Sequence, residues 1–255
     1  MESYRTFAEV YDRLMEDIPY EDWCQYLTGL LKEYGISDGL VLELGCGTGT
    51  MTELLAGQGY DMIGVDASQE MLAQAMEKRE ESGHDILYLQ QDMREFELYG
   101  TVRAVVSVCD SMNYILEDAD LVQVFSLVNN YLDPGGIVLF DLKTEHYYRD
   151  LTGDAVYGQN EDDVSMIWEN YYYEEDRVNE YHVTMFLREA DGRYRKEEET
   201  HYQRAYSVEE VRAAMERAGM EFVAAYDAGT KRSATEMSER IYIVGREKGK
   251  HAVRK

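Results

Sequence analysis

The sequence predicts an α/β protein: a seven-stranded, mostly parallel sheet with an antiparallel last strand, plus an inserted antiparallel β subdomain. Three observations predict it. Short apolar runs bounded by turns, among them Val41–Leu44, Tyr60–Val65, Ala104–Val108 and Ile137–Phe140, alternate with stretches of helical spacing. Glycines crowd the end of the first run, in Gly45-Cys46-Gly47-Thr48-Gly49, just before a helical segment. Residues 145–206 break the alternation with long strand-like runs that hold ten of the chain's 22 tyrosines.

The chain begins with an amphipathic stretch in which Phe7, Val10, Tyr11, Leu14 and Met15 recur at helical spacing. Pro19 interrupts it, and Tyr20-Glu21-Asp22-Trp23 opens a second helix that runs through Leu31 and ends before Gly35. Both apolar faces are expected to pack on the sheet. The first strand then delivers the glycine loop. Without Cβ atoms a ligand can approach bare backbone there, and the helix start beyond it offers unpaired N–H groups. A second strand, Tyr60–Val65, ends at Asp66, twenty-one residues past Gly45. An acidic residue at that tip is placed to accept hydrogen bonds from ribose hydroxyls.

Ser68 is expected to cap a helix over Gln69–Ser82, with Glu70 in its first turn. Leu87–Met93 reads as a third strand running into Asp92, and Ala104–Val108 as a fourth whose tip carries Cys109, Asp110, Asn113 and Tyr114. Asp118 is expected to cap the next helix, whose Leu121, Val124, Phe125, Val128 stripe belongs to the core. Asp133-Pro134-Gly135-Gly136 then turns into the fifth strand, Ile137–Asp141. In the tyrosine-rich region Val164–Glu174, Arg177–Ala190 and Arg193–Tyr206 read as strands, with a hairpin at Asp191-Gly192. Ser207-Val208-Glu209-Glu210 is a capping box for a helix closed by Gly219. Phe222–Tyr226 and Arg240–Val244 are too close in sequence for a helical crossover, so they should pair antiparallel.

Which nucleotide the loop takes depends on details. A dinucleotide fingerprint, G-x-G-x-x-G, would need its third glycine at Thr50; here the glycine arrives one residue early, at Gly49. With Glu43 two residues before Gly45, the pattern Glu-x-Gly-x-Gly-x-Gly resembles motif I of the class I S-adenosylmethionine-dependent methyltransferases of small-molecule type. The segments at Asp66, Asp92 and Asp110 follow in that superfamily's order, and the antiparallel closing strand is similar too. The resemblance implies a Rossmann-like fold, with S-adenosylmethionine as cofactor and S-adenosylhomocysteine as product. It implies cofactor contacts from Tyr11, Glu43, Gly45, Cys46, Gly47, Gly49, Asp66, Ala67, Met71, Asp92, Met93, Cys109 and Asp110. Within that set Asp66 would hold the ribose, Asp92 and Met93 the adenine, and Asp110 would lie near the sulfur. The stretch Phe7–Asp12 looks like the N-terminal lid helix of such enzymes. On that likeness Tyr11 would reach the methionyl end, with Tyr4 bordering the acceptor beside Asn113, Tyr114 and Trp168.

The division expected is a cofactor-binding core from residues 1–144 and 207–255, with lid helices in 1–35, and an insertion at 145–206 covering the acceptor site. The acceptor is expected to be an O or N atom of a small molecule. Asp110-Ser111-Met112-Asn113 lacks the Asp/Asn-Pro-Pro-aromatic signature of enzymes that methylate adenine or glutamine amino groups. For the general base, Asp110, His146, Tyr11, Asn113 and Tyr114 stand open by position alone; histidine suits proton removal near neutrality. Two other readings stay alongside: a nicotinamide-dependent oxidoreductase, and a non-catalytic protein that binds S-adenosylmethionine. Acids outnumber bases 51 to 25, for a formal charge of −26, so phosphate backbones and anionic membranes are repelled. Cys24, Cys46 and Cys109 show neither a disulfide framework nor metal-ligand spacing, and no long apolar segment or leader is evident. A cytoplasmic protein, monomeric or homodimeric, without metal, is expected.

Overall fold

The computed structural model describes residues 7–250. Two sheets organise it. In the first, β1 (Gly39–Leu44), β2 (Tyr60–Asp66), β3 (Ile86–Gln90), β4 (Val102–Ser107) and β5 (Leu132–Lys143) run parallel. The second, inserted after β5, is antiparallel in the order β6 (Val156–Asn160), β7 (Val164–Tyr173), β8 (Val178–Arg188), β9 (Tyr194–Arg204). The chain then returns to the first sheet with β10 (Glu221–Asp227) and β11 (Arg240–Arg246). Its strand order is β10-β11-β5-β4-β1-β2-β3, and β11 is antiparallel to both its neighbours.

Helices cover both faces of the large sheet, which is why its strands are apolar throughout. Leu42, Leu44, Val65, Val105 and Phe140 pack against α5 (Asp118–Tyr131) and α6 (Val208–Arg217). Val41, Met62, Tyr88, Val106 and Leu139 pack on the other side against α2 (Tyr20–Glu33), α3 (Thr50–Gly57) and α4 (Gln69–Ser82). Two caps form as the sequence predicts: Ser68 Oγ accepts from Met71 N at 3.1 Å, and Ser207 with Glu210 makes a reciprocal capping box. At α5 the capping position falls one residue early, on Glu117, whose side chain makes no cap bond.

The small sheet keeps the alternation read in β8. Tyr181, Val183, Met185 and Leu187 are buried on one face. What covers that face differs from expectation. Phe7, Val10 and Leu14, from a 3-10 turn (Phe7–Glu9), the short helix α1 (Tyr11–Leu14) and the residue between them, form one core with Val164, Met166, Tyr181 and Met185. The N-terminal stripe therefore packs on the second sheet, and only α2 packs on the first. Strand β6 and the wide helical turn Tyr147–Thr152 lie outside the expected elements, and β5 begins at Leu132, its Gly135 taking φ +76° inside the expected turn.

Tyr88 illustrates how closely the loop side of the sheet is packed. A Cβ on Gly64 would stand 2.6 Å from two atoms of the Tyr88 ring. That ring is wedged between β2 and the helix start at Gly49, so it cannot withdraw. Gly64→Ala should lower stability by about 1–3 kcal/mol, in the range of overpacked cores. Urea denaturation checks this, and an unchanged midpoint would show that Tyr88 is free to move.

Candidate active site

The strand order reverses between β1 and β4, so their carboxyl ends part and leave a crevice, the position where open α/β sheets bind ligands. A cavity of about 760 Å³ occupies it, bounded by the glycine loop, the tips of β2, β3 and β4, and residues of the N-terminal segment and second sheet.

The loop takes its shape from left-handed glycines. Gly47 has φ +54°, and a Cβ there would meet nothing within 4 Å, so bare peptide faces the cavity. Gly49 has φ +76°, and a Cβ there would stand 2.9 Å from Ala75 Cβ and crowd the Tyr88 hydroxyl. It lets α3 close on α4, the packing role of a fingerprint's third glycine, one residue earlier. The loop is tied to the second strand by Gly45 N and Cys46 N, which donate to Val65 O at 2.8 and 3.0 Å.

Asp66 completes this junction. Its carboxylate accepts from Gly47 N and from Ser68 N, each at 2.8 Å. Burial pushes its pKa up, while the backbone N–H groups of Ser68, Gly47 and Ala67 oppose the shift. Glu43 lies deeper, fully enclosed, with the Thr52 hydroxyl donating to it. Burial raises its pKa to about 8 against the opposing hydrogen bond from Thr52. Asp92 at the third tip is gripped by Arg94, whose Nε and backbone N both donate to Oδ1 at 2.9 Å, holding its carboxyl below the usual range. Met71, Met93, Ala67, Cys46 and Cys109 complete the expected cofactor wall. Burial keeps the Cys46 and Cys109 thiols protonated, so neither is a thiolate nucleophile.

Tyr11 and Tyr114 also line the cavity. Five expected site residues do not; one is Gly49, which packs on Ala75 and Tyr88 instead. Asp110 turns into an ion-pair cluster with Arg240 (2.7 Å) and Lys143 (3.2 Å), which lowers its pKa against the effect of burial. A carboxylate so neutralised is a poor base. Asn113 is a buried staple: its Nδ2 donates to Lys143 O and Arg204 O at 3.1 and 2.8 Å, and its Oδ1 accepts from Lys143 N at 3.0 Å. His146 pairs with Asp150 at 2.8 Å across one helical turn, outside the cavity. Trp168 packs edge-on against Tyr181 and donates from Nε1 to Asn170. Tyr4 lies outside the described residues. Sequence reasoning missed Tyr20, Thr48, Thr50, Ser111 and Tyr202, which share the lining. Thr48 and Thr50 carried a signal, because they flank Gly49 in the glycine loop; Tyr20 and Tyr202 carried none beyond their place in aromatic segments.

A polar clasp joins the N-terminal segment to the loop. Thr48 Oγ1 donates to Asp12 Oδ1 at 2.7 Å, and Lys78 Nζ reaches Asp12 (2.7 Å), Thr48 (3.0 Å) and Thr50 (2.7 Å). Since Asp12 and Lys78 are partly exposed, salt screens the pair. Asp12→Asn should speed release of a bound ligand by roughly three- to tenfold, the scale of a surface pair plus one charge-assisted bond. Stopped-flow dissociation of S-adenosylhomocysteine measures it; an unchanged rate would mean that the clasp does not gate the cavity.

An adenosine bearing a cationic amino-acid tail fits this donor set: open peptide at Gly47, a carboxylate 2.8 Å from it at Asp66, and further carboxyls at Asp92 and Glu43. Together the fold and the cleft define a class I S-adenosylmethionine-dependent methyltransferase. Residues 41–136 match the family described as methyltransferase domain. A protein of Geobacillus sp. (strain WCH70), whose name goes no further than methyltransferase, is 33% identical over 96% of this chain and 99% of its own length. The chain belongs to that methyltransferase family. A solved S-adenosylmethionine-dependent methyltransferase from Clostridium acetobutylicum superposes with a TM-score of 0.85 at 27% identity, covering 96% of this chain and 99% of that one. The sugar N-methyltransferase KedS8 from Streptoalloteichus shares the fold at 20% identity, with a TM-score of 0.77 over 94% of this chain and 92% of that one.

Proposed function

We propose that this enzyme methylates a nitrogen or oxygen of a small-molecule acceptor, with nitrogen the better fit. The observation that carries the choice is the charge of the cavity wall. Asp66, Glu70, Asp92, Glu117 and Asp120 line it, with Glu43 behind them kept protonated by burial, and Arg94 is the one cation among the described lining residues, held by Asp92 and Asp120. A phosphate or carboxylate acceptor would enter against that field; an amine would be drawn by it and by the faces of Tyr11, Tyr20, Tyr114 and Tyr202. The fold-level likeness to a sugar N-methyltransferase agrees.

Bound in the cleft, S-adenosylmethionine supplies a methyl group already activated on sulfur. This chain's residues then orient and desolvate. Gly47 backbone would take the amino-acid end, Asp66 the ribose hydroxyls, and Asp92 with Met93 the adenine edge. Burial raises the pKa of Tyr11, so it acts near neutrality as a neutral hydrogen-bonding phenol and not as a base. An amine drawn to that wall as an ammonium would give up its proton, to solvent or to a wall carboxylate, before its lone pair attacks. Residues 145–206, joined by the N-terminal turn packed on them, would serve as the acceptor-site cover, since Tyr202 of β9 reaches the cavity wall.

Calorimetry with S-adenosylmethionine, S-adenosylhomocysteine and NAD tests the cofactor assignment, and binding of NAD alone would overturn it. Transfer of isotopically labelled methyl to panels of small amines and alcohols tests the acceptor. Label on alcohols alone would remove the preference for nitrogen, and no label on either panel would favour a binding protein without transfer activity.

A further inference from the structure

Beside the cavity, four ionisable side chains are packed together that the chemistry above does not use. Arg240, at the start of β11, donates to Asp110 at 2.7 Å and also to Asp141. Lys143, at the end of β5, lies 3.2 Å from Asp110, and Gln203 of β9 donates to the same carboxylate at 2.7 Å. Asp141 accepts from the backbone N of Asp110 at 3.0 Å. Arg240 further stacks on Trp23, 5.1 Å from the ring centroid. Removing so many charges from water is costly.

What the cluster holds is unusual backbone. Cys109 and Asp110 are consecutive non-glycine residues with φ +60° and +55°. Left-handed backbone at such residues persists only where surrounding contacts over-determine it. Here Arg240, Asp141, Lys143 and Gln203 fix Asp110 from β11, β5 and β9 at once. The residue thereby fixed on the cavity wall is Cys109. Cys109 shares that wall with Tyr20 and Tyr11, so the lining continues from the strand tip into the N-terminal segment.

We propose that Arg240, acting through Asp110 and Asp141, is a positioning residue for recognition of the charged cofactor: it locks the left-handed Cys109–Asp110 turn so that the Cys109–Tyr20–Tyr11 wall meets the cationic centre of the cofactor. The inference rests on the cofactor reading above. Fixed dipoles facing a cation favour it over the neutral thioether left after transfer, and they do so only while held in place. Arg240 touches no reacting atom in this scheme. Its effect is carried by the turn.

The test compares two ligands that share adenosine and amino-acid ends. Sinefungin carries an ammonium where the sulfonium stands; S-adenosylhomocysteine is neutral there. Wild-type protein must bind both, and failure to bind either would overturn the cofactor reading before any variant is considered. Arg240→Lys, which keeps the charge but cannot span both carboxylates, should lower the sinefungin-to-S-adenosylhomocysteine affinity ratio about five- to tenfold while changing S-adenosylhomocysteine affinity less than about twofold. Gln203→Met, which removes one neutral bond to Asp110, should shift the ratio in the same direction by less, and it serves alone if Arg240→Lys does not fold. Equal weakening of both ligands would reduce the cluster to a structural role, and an unchanged ratio in both variants would overturn the proposal.

Discussion

Asp66→Ala is expected to weaken S-adenosylmethionine and S-adenosylhomocysteine alike, by roughly two orders of magnitude. Two charge-assisted bonds to a ribose diol contribute about 1.5 kcal/mol each at the low end, and each 1.4 kcal/mol is about tenfold in affinity. The same carboxylate also shapes the site, because it takes both the Gly47 and the Ser68 N–H groups. Alanine would therefore release the loop from the tip of β2 as well as removing the ribose partner. Asp66→Asn separates the two contributions: its amide oxygen can still accept from one backbone N–H, so part of the loss should be recovered. Calorimetric titration of both ligands against the two variants decides the matter. Full affinity in the alanine variant would place the ribose elsewhere.

The parts of this protein that local chemistry dictates were legible before any coordinates. Continuous apolar strands followed from the sheet being covered on both faces, and the Ser68 and Ser207 caps from side chains that bond backbone three residues on. The glycine loop and Asp66 were legible because their geometry is set within two adjacent strands, Gly45 and Cys46 bonding directly to Val65. What could not be read is set by partners far away in sequence. Asp110 looks like a free carboxylate at a strand tip, yet Gln203 and Arg240, 93 and 130 residues on, claim it. The stripe Phe7, Val10, Leu14 announces a buried face but does not say which sheet will bury it. His146 had a suitable side chain in a suitable segment, and a carboxylate one helical turn away ties it down instead.

A second large effect is expected from Glu43, through pH. Its folded pKa of about 8 lies well above the ordinary value of 4.5, because the enclosed carboxylate has lost water and gained only the Thr52 hydroxyl. Between those values the folded protein holds a proton that the unfolded chain has released. Stability from this group is thus fully present below about pH 4.5 and is lost as pH rises towards 8, with a slope of up to about 1.4 kcal/mol per pH unit. Glu43→Gln stays neutral and can still pair with Thr52, so the slope should flatten: near parity with wild type at pH 5, and an advantage on the order of a few kcal/mol at pH 8. Urea denaturation of the ligand-free protein at both pH values measures this, and parallel curves would show that Glu43 is already ionised. A cationic ligand end would explain the cost of keeping an ionisable group there. A cationic amino-acid end arriving beside Gly45–Gly49 favours the carboxylate, so binding at pH 7 should expel a proton. Calorimetry in buffers of different protonation enthalpy reads that proton directly. Wild type should release a substantial fraction of one and Glu43→Gln none, with weaker binding in the variant. Equal proton release in both would assign the linkage to another group and leave Glu43 a purely structural acid.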